Sequence, residues 1–409
     1  MTYGRGPVAD DDALLAGLTV LDFSRVLAGP YCTRLLGDLG ARIVKVERPG
    51  EGDDTRRGML QLEAGRTDQS TYFTRVNVGK LSVALDLGHP RGREVVRDLA
   101  RAADVVVENF VPGVMARLGC DYPTLAAVKP DLVFCSISGF GQTGPLASMQ
   151  AFAHIIHAIS GLMHLERAAD PEPRVAYLQA ADVLAGTHAF GAICAALLRR
   201  GRTGRGAYLD VSMLECLVAA EDVTFGSVLN AGPESVGPRL GMVVRRIGDR
   251  HVAMQTVGAP ALFPRLIELM GRPELAADPR FATPLARRDH WPELRELIVE
   301  WLGSFESVDA AVKTLSGGRL PAAPVLTPEE VIAHPHMAER SAFPTVPHPA
   351  RGSVRVTATP IHVDGRPSLP RGPAPYRVGE HTRHVLSTVL GYPDARIDEL
   401  KSAGAIAVV

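Results

Sequence analysis

The sequence predicts an α/β fold on a mainly parallel sheet, with a smaller domain set into a larger one. Two observations carry this. In the first third, short Val/Ile/Leu-rich runs alternate with stretches of helical length. That is the pattern of βαβ units whose strands are buried on both faces. Later, two Gly/Pro-rich stretches, 229–240 (LNAGPESVGPRL) and 316–325 (SGGRLPAAPV), bracket a segment with strand and helix patterns of its own. At 409 residues the chain exceeds one ordinary core, and the bracketed segment, roughly 90 residues, lies in the usual domain range. The expected division is 1–225, 226–330 and 331–409, the last part returning to the larger domain.

The elements follow in order. Leu18 to Phe23 (LTVLDF) is a short apolar strand, and Gly29-Pro30 opens a helical stretch with apolar residues at 31, 35, 36 and 39. Arg42 to Glu47 (RIVKVE) alternates like a strand, as do residues 81–87 (LSVALDL). Pro90 to Ala103 reads as helix, then 104–110 (DVVVENF) and 131–139 (DLVFCSISG) as strands. A helix is expected from Val183 to Arg200, a basic turn over 202–208 and one further element over 209–220. In the bracketed segment, 249–258 is strand-like, and 261–270 and 292–302 have helical periodicity. A Pro-rich extended region then runs to Arg377, with a final helix near 380–391.

Composition removes several classes. Lys plus Arg number 44 against 45 Asp plus Glu, a net charge of −1, which lacks the basic excess of a nucleic-acid binder. The hydrophobic (46%) and charged (22%) fractions are those of a folded soluble protein. No run of 18 apolar residues lacks a charge, so no membrane partner is expected. The polar, acidic start MTYGRGPVADDD lacks the apolar core of a signal peptide. The five cysteines (Cys32, Cys120, Cys135, Cys194, Cys216) are odd in number, widely spaced and without C-x-x-C. That pattern suits small buried hydrophobes in a reducing cytoplasm.

Candidate chemistry is sparse and each candidate has a plainer reading. Gly139-Phe140-Gly141-Gln142-Thr143-Gly144 has G-x-G-x-x-G spacing after a strand, but Pro145 opens no helix to face a pyrophosphate. A tight loop where backbone meets a ligand or neighbour is the better reading. Asp182 precedes a long helix of small residues. It reads as a helix N-cap, or as a carboxylate nucleophile with room beside it left by Ala180, Ala181, Ala185 and Gly186. Arg48, Arg117, Arg202 and Arg205 are solvated cations, or phosphate contacts if they converge. Asn109-Phe110 ends a strand, where parallel sheets hold ligands. His154, His157 and His188 make no metal-binding set, and no metal site is expected.

Together these segments resemble the family III CoA-transferases, the CaiB/BaiF group, whose relatives include formyl-CoA transferase, carnitine CoA-transferase and α-methylacyl-CoA racemase. The resemblance rests on residues 18–56, 77–87, 104–119, 139–145 (GFGQTGP), 181–206 and 378–386 (VGEHTRHVL), in order along nearly the whole chain. It implies a large Rossmann-like CoA-binding domain, a smaller α+β domain between its halves, and two chains interlocked as a homodimer. It implies CoA transfer from an acyl-CoA to a small carboxylic acid. Asp182 is the implied nucleophile, acting through a mixed anhydride and an aspartyl-CoA thioester. CoA is then a substrate, and no permanently bound cofactor is expected. The implied CoA contacts are Leu27, Ala28, Arg48, Leu85, Asp86, Leu87, Asn109, Phe110 and Arg117. Gly139, Gly141, His154 and His157 are the substrate or oxyanion candidates.

Two departures bear on the reaction. The racemases' Gly-His-Asp triplet falls on Ala151-Phe152-Ala153, so racemisation by Asp182 with a nearby His remains the alternative, weakened by loss of one acid–base group. The formyl-CoA transferases' tetraglycine run is missing from 237–248 (GPRLGMVVRRIG). A third reading is a CoA-binding protein without turnover. Arg245, Arg246 and Gln255 are the candidates for meeting a polar acyl tail.

Overall fold

A computed structural model describes residues 12–166, 173, 175–221, 224–234, 241–256 and 259–409. From Thr19 onward, strands and helices alternate as the hydrophobic pattern requires. They are β1 (Thr19–Asp22), α1 (Ala28–Asp38), β2 (Arg42–Glu47), α2 (Thr71–Asn77), β3 (Leu81–Leu85), α3 (Pro90–Ala102) and β4 (Val105–Glu108). Next come α4 (Val114–Arg117), α5 (Tyr122–Ala126), β5 (Val133–Ser138), α6 (Ala153–Ile159), α7 (Leu162–Leu165), α8 (Ala180–Thr203), β6 (Ala207–Ser212) and α9 (Met213–Ala219). The six strands pair in parallel in the order β3-β2-β1-β4-β5-β6. This is a doubly wound sheet, and its order reverses between β1 and β4.

Strand alternation sends successive residues to opposite faces, and each face has its own core. Leu21, Val44, Val83 and Val106 pack with Val96, Leu99, Val385 and Leu386. Val20, Ile43, Val105, Val107 and Val133 pack with Cys32 of α1 and with Ala181, Ala185, Ala189 and Ile193 of α8. Each large aliphatic side chain buried this way is worth about 1.5–3 kcal/mol. By length and composition α8 is apolar enough to cross a membrane, but here its small-residue stripe is part of this core.

The chain divides into two compact units: Met1–His164, Arg174–Ser235 and Pro335–Val409 form one, Leu165–Pro173 and Val236–His334 the other. The first also holds α10 (Thr224–Val228). The second is built on an antiparallel sheet of β7 (Met242–Ile247), β8 (Arg250–Gln255) and β9 (Ala322–Pro324). Its helices are α11 (Leu262–Leu269), α12 (Pro284–Asp289), α13 (Trp291–Gly303), α14 (Val308–Gly317) and α15 (Pro328–Ala333). Val243, Val252, Met254, Leu266, Phe281, Ile298 and Leu315 form its core. Arg245, Arg246 and Gln255 lie on its β7–β8 hairpin. Of the stretch compared with a glycine lid, 242–247 is strand β7, while 237–240 lie outside the described residues.

Several elements differ from the sequence expectation. The long helix starts at Ala180 instead of Val183, so Gln179 is its N-cap and Asp182 sits inside the first turn. The N-cap reading of Asp182 is therefore corrected. The single element expected over 209–220 is two, β6 and α9, because the Ser212 hydroxyl accepts the Glu215 N–H and turns strand into helix. The Pro-rich region expected to be extended carries α15, α16 (Pro335–Glu339) and the hairpins β10 (Thr345–His348)–β11 (Gly352–Arg355) and β12 (His362–Val363)–β13 (Arg366–Pro367). Pro328 follows the cap Thr327, whose capping box with Glu330 starts α15. Near the end, α17 (Thr382–Thr388) is followed by two unexpected elements, α18 (Asp394–Ser402) and β14 (Ile406–Ala407). β14 closes the sheet edge antiparallel to β3.

Candidate active site

The carboxyl ends of β1 to β5 open into a cavity of about 930 Å³. It lies at the switch point of the sheet, where open α/β folds bind ligands. Phe23, Arg25, Arg48, Asp86, Asn109 and Gly139 line it from the loops after five successive strands. Asp182, in the first turn of α8, and Ala28, opening α1, also line the cavity.

Asp182 is placed by helix packing. One turn on, Gly186 faces α1, and a Cβ there would lie 2.6 Å from the Ala28 carbonyl oxygen and 3.1 Å from the Tyr31 ring. Only glycine permits this approach, which brings the start of α1 against the start of α8. The start of α1 thus lies beside Asp182, and the Ala28 backbone N–H is among the groups that favour its charged form. Burial pushes the Asp182 carboxyl up to about 6, against the lowering effect of the Ala28 N–H, its own N–H and His154. The group is thus mostly ionised at neutral pH but poorly solvated, a condition that favours nucleophilic attack.

Ala28 is delivered by a strained loop. Val26 has φ +68°, a left-handed conformation disfavoured for a β-branched residue. Beneath the loop lies a buried charge network. Lys80 pairs with Asp22 at 3.0 Å, Lys45 with Asp53 at 2.9 Å and Arg56 with Glu47 at 2.8 Å, all almost fully buried. Burial alone would raise the Asp53 carboxyl, but Lys45 and the Thr55 hydrogen bonds hold it well below the ordinary range. Burial lowers the Lys80 ammonium to about 8, with Asp22 opposing. Each charge has an opposite partner, which such burial requires.

Of the residues implied by the resemblance, Ala28, Arg48, Leu85, Asp86, Leu87, Asn109, Phe110, Gly139 and Asp182 line the cavity together. Leu27, Arg117, Gly141, His154 and His157 are not among its lining residues. Leu27 is buried as the N-cap of α1. Arg117 is exposed at the end of α4, one turn past the cavity residue Val114. Gly141 takes φ +86° in a loop tied to β6 by the Gln142 N–H to the Asp210 carboxylate, 2.9 Å. After Gly144 the chain bends and no helix opens until Ala153, so the G-x-G-x-x-G spacing is a loop, as expected. His154 is exposed and His157 buried, one turn apart on α6 with their ring centres 6.4 Å apart. Arg202 and Arg205 are exposed at the end of α8, away from the cavity, and do not converge with Arg48.

Two residues at the site escaped sequence reasoning. Arg25 lines the cavity with its guanidinium 5.1 Å from the centre of the Phe110 ring and 3.3 Å from Asp54. Both partners are far away in sequence, so no local signal marked it. Tyr72, on α2, donates its hydroxyl to Gln179, the cap of α8, at 3.1 Å. Burial and the Asp182 charge push its phenol up to about 12, so it stays protonated at neutral pH. Cys32, Cys120, Cys135 and Cys216 are buried, Cys194 is partly so, and all five are free. No group of metal-ligating side chains is found among the described residues.

A doubly wound sheet with a large cleft at its switch point, ending on a poorly solvated carboxylate between two helix starts, defines an α/β enzyme equipped for group transfer. The chain belongs to CoA-transferase family III, whose model matches residues 15–382. It is 33% identical to succinyl-CoA:glutarate CoA-transferase of Mus musculus, over 98% of this chain and 94% of the relative. It is also 33% identical to formyl-CoA:oxalate CoA-transferase of Streptomyces coelicolor, over 96% and 99%. A crystal structure of a CaiB/BaiF family protein from Brucella suis is similar, with TM-score 0.78, 32% identity and coverage of 92% of this chain and 99% of that one. The protein is therefore a transferase that moves CoA to a carboxylic acid, and the racemase alternative is not favoured.

Proposed function

We propose that CoA passes through Asp182. The carboxylate attacks the thioester carbonyl of an acyl-CoA, forming a mixed anhydride and expelling CoA thiolate. The thiolate attacks the Asp182 acyl carbon, releasing the donor acid and leaving an aspartyl-CoA thioester. The acceptor carboxylate attacks that thioester, giving a second anhydride and free thiolate. Thiolate attack on the acceptor's acyl carbon then yields the new acyl-CoA and restores Asp182. The observation that carries this reading is the poorly solvated Asp182 carboxylate that lines the cavity beside the start of α1. The Ala28 N–H at that start stabilises the oxyanion when Asp182 itself becomes the carbonyl under attack.

The remaining cavity fits the rest of CoA. Arg48 is exposed and paired with the exposed Glu51, and Arg25 with the exposed Asp54, so phosphates compete with weak surface ion pairs for both cations. Phe110, under Arg25, offers a face for the adenine. Leu85, Asp86 and Leu87 complete that wall. Acceptor acids are drawn from short carboxylic acids such as the succinate, glutarate and oxalate in the relatives' names. Two chains interlock as a homodimer, as the resemblance implies, and the five free cysteines suit the cytoplasm. A screen of acyl-CoA donors against these acids tests the reading, with Asp182→Asn as control. Transfer by wild type alone supports it, and equal transfer by the variant contradicts it.

A further inference from the structure

The loop between β1 and α1 is held at successive main-chain groups. The Phe23 N–H donates to the Val107 carbonyl at 2.8 Å, the last rung of the β1–β4 ladder. The Ser24 N–H donates to Asp22 at 2.9 Å, and the Ser24 carbonyl accepts from Lys45 at 2.8 Å. The Val26 N–H reaches Asp53 at 3.4 Å. Between them, the Arg25 N–H donates to Asn109 Oδ1 at 2.8 Å, and Asn109 Nδ2 donates to the Arg25 carbonyl at 2.7 Å.

In a parallel pair the next rung after Phe23 would come from the main chain around residue 109. Instead the Phe110 N–H turns to the Glu108 carboxylate at 2.8 Å, and β4 leaves the ladder. The Asn109 amide takes the rung's place, offering one acceptor and one donor to the same residue. This reciprocal pairing fixes which way the amide faces. It also lies against the start of α1, since a Cβ on Gly29 would come 3.5 Å from Asn109 Cγ. One residue on, Val26 holds a left-handed conformation, φ +68°, that a β-branched residue keeps only where its surroundings enforce it.

We propose that Asn109 is a positioning residue for CoA transfer: its side-chain amide substitutes for a missing ladder rung and holds the strained Arg25–Val26 turn, which sets the start of α1 beside Asp182. This rests on the reading of Asp182 as nucleophile and differs from the CoA contact that the resemblance implies for Asn109. Asn109→Asp keeps the shape but sets a carboxylate oxygen against the Arg25 carbonyl. Asn109→Ser keeps a small polar group, and Asn109→Ala removes both bonds.

The test compares these variants with wild type and Asp182→Asn by steady-state kinetics, the pH profile of kcat, rapid-quench mass spectrometry of the aspartyl-CoA adduct, and thermal melts. The expected result for Asn109→Asp is a fall of about tenfold or more in kcat and in adduct formation, with KM for acyl-CoA changed by less than about threefold. The acid limb of kcat moves to higher pH, because a displaced Ala28 N–H no longer holds the Asp182 carboxyl down. A rise in KM at constant kcat with an unmoved acid limb would make Asn109 a ligand contact and overturn the proposal. So would wild-type kinetics in all three variants. If Asn109→Ala does not fold, Asn109→Ser and Asn109→Asp carry the comparison. An active Asp182→Asn would overturn the nucleophile reading itself, whereas an inactive Asp182→Asn beside an unaffected Asn109→Asp sinks only the positioning role.

Discussion

At the scale of single residues, Asp182 carries the chemistry and its surroundings set its pH response. With the carboxyl at about 6, kcat should fall as pH drops through about 6, since the ionised form attacks. An unperturbed aspartate would give no such fall above about pH 5. The same shift has a stability consequence. A raised native pKa means the fold disfavours the charged form, so stability is greatest below the unfolded value and is lost as pH rises from about 4 to 6. Asp182→Asn should therefore stabilise the protein by about 1–3 kcal/mol at pH 7.5, with the gain vanishing near pH 4 in denaturant titrations. The same variant should lose about a thousandfold or more in kcat. For the phosphate contacts, Arg25→Gln should raise KM for acyl-CoA by about tenfold with little change in kcat, and an unchanged KM would remove Arg25 from the binding site.

At the scale of elements, the α1–α8 crossing decides how closely the start of α1 approaches Asp182. Gly186→Ala places a methyl group within 2.6 Å of the Ala28 carbonyl oxygen, so the helices must separate. The expected outcome is a loss of about 1–3 kcal/mol in stability and a fall in kcat larger than any change in KM, read by denaturant titration and steady-state kinetics. The sequence already showed this helix and the strands of the sheet, because Val/Ile/Leu runs and small-residue periodicity are local signals. It placed the helix start three residues late, since Ala180 and Ala181 resemble a loop's small residues as much as a first turn. It missed the roles of Arg25, Tyr72 and the Val26 strain for another reason. Each depends on contacts between segments that only the fold brings together, such as Arg25 with Asn109 and Tyr72 with Gln179. The two-residue strand β14 was too short for any periodicity to reveal.

At the scale of the whole molecule, the C-terminal segment completes the sheet that the N-terminal segment begins. The His381 N–H donates to the Ser82 carbonyl at 2.9 Å, the Thr382 hydroxyl accepts the Ala84 N–H at 3.0 Å, and β14 pairs with β3. Val385, Leu386 and Ile406 add to the core on that face. Deleting residues 376–409 should leave the edge of β3 and that core uncovered and give insoluble protein on expression, whereas soluble, active protein would deny the segment this role. If two chains interlock as proposed, mixed tagged and untagged dimers should not exchange subunits without unfolding, and rapid exchange by native mass spectrometry would exclude the interlock. The buried charges act at this scale too, tying the β1, β2 and β3 ends together. Lys45→Met should cost about 3–5 kcal/mol by stranding Asp53, and a smaller loss in denaturant titration would show that water reaches the network.

The most direct test of the transfer mechanism is to mix the enzyme with an acyl-CoA donor, quench it within one turnover and map the modified peptide by mass spectrometry. A CoA thioester on Asp182, released as a hydroxamate by hydroxylamine and formed in step with turnover, is the predicted result. Full transfer activity with Asp182 unmodified at every time point would contradict it.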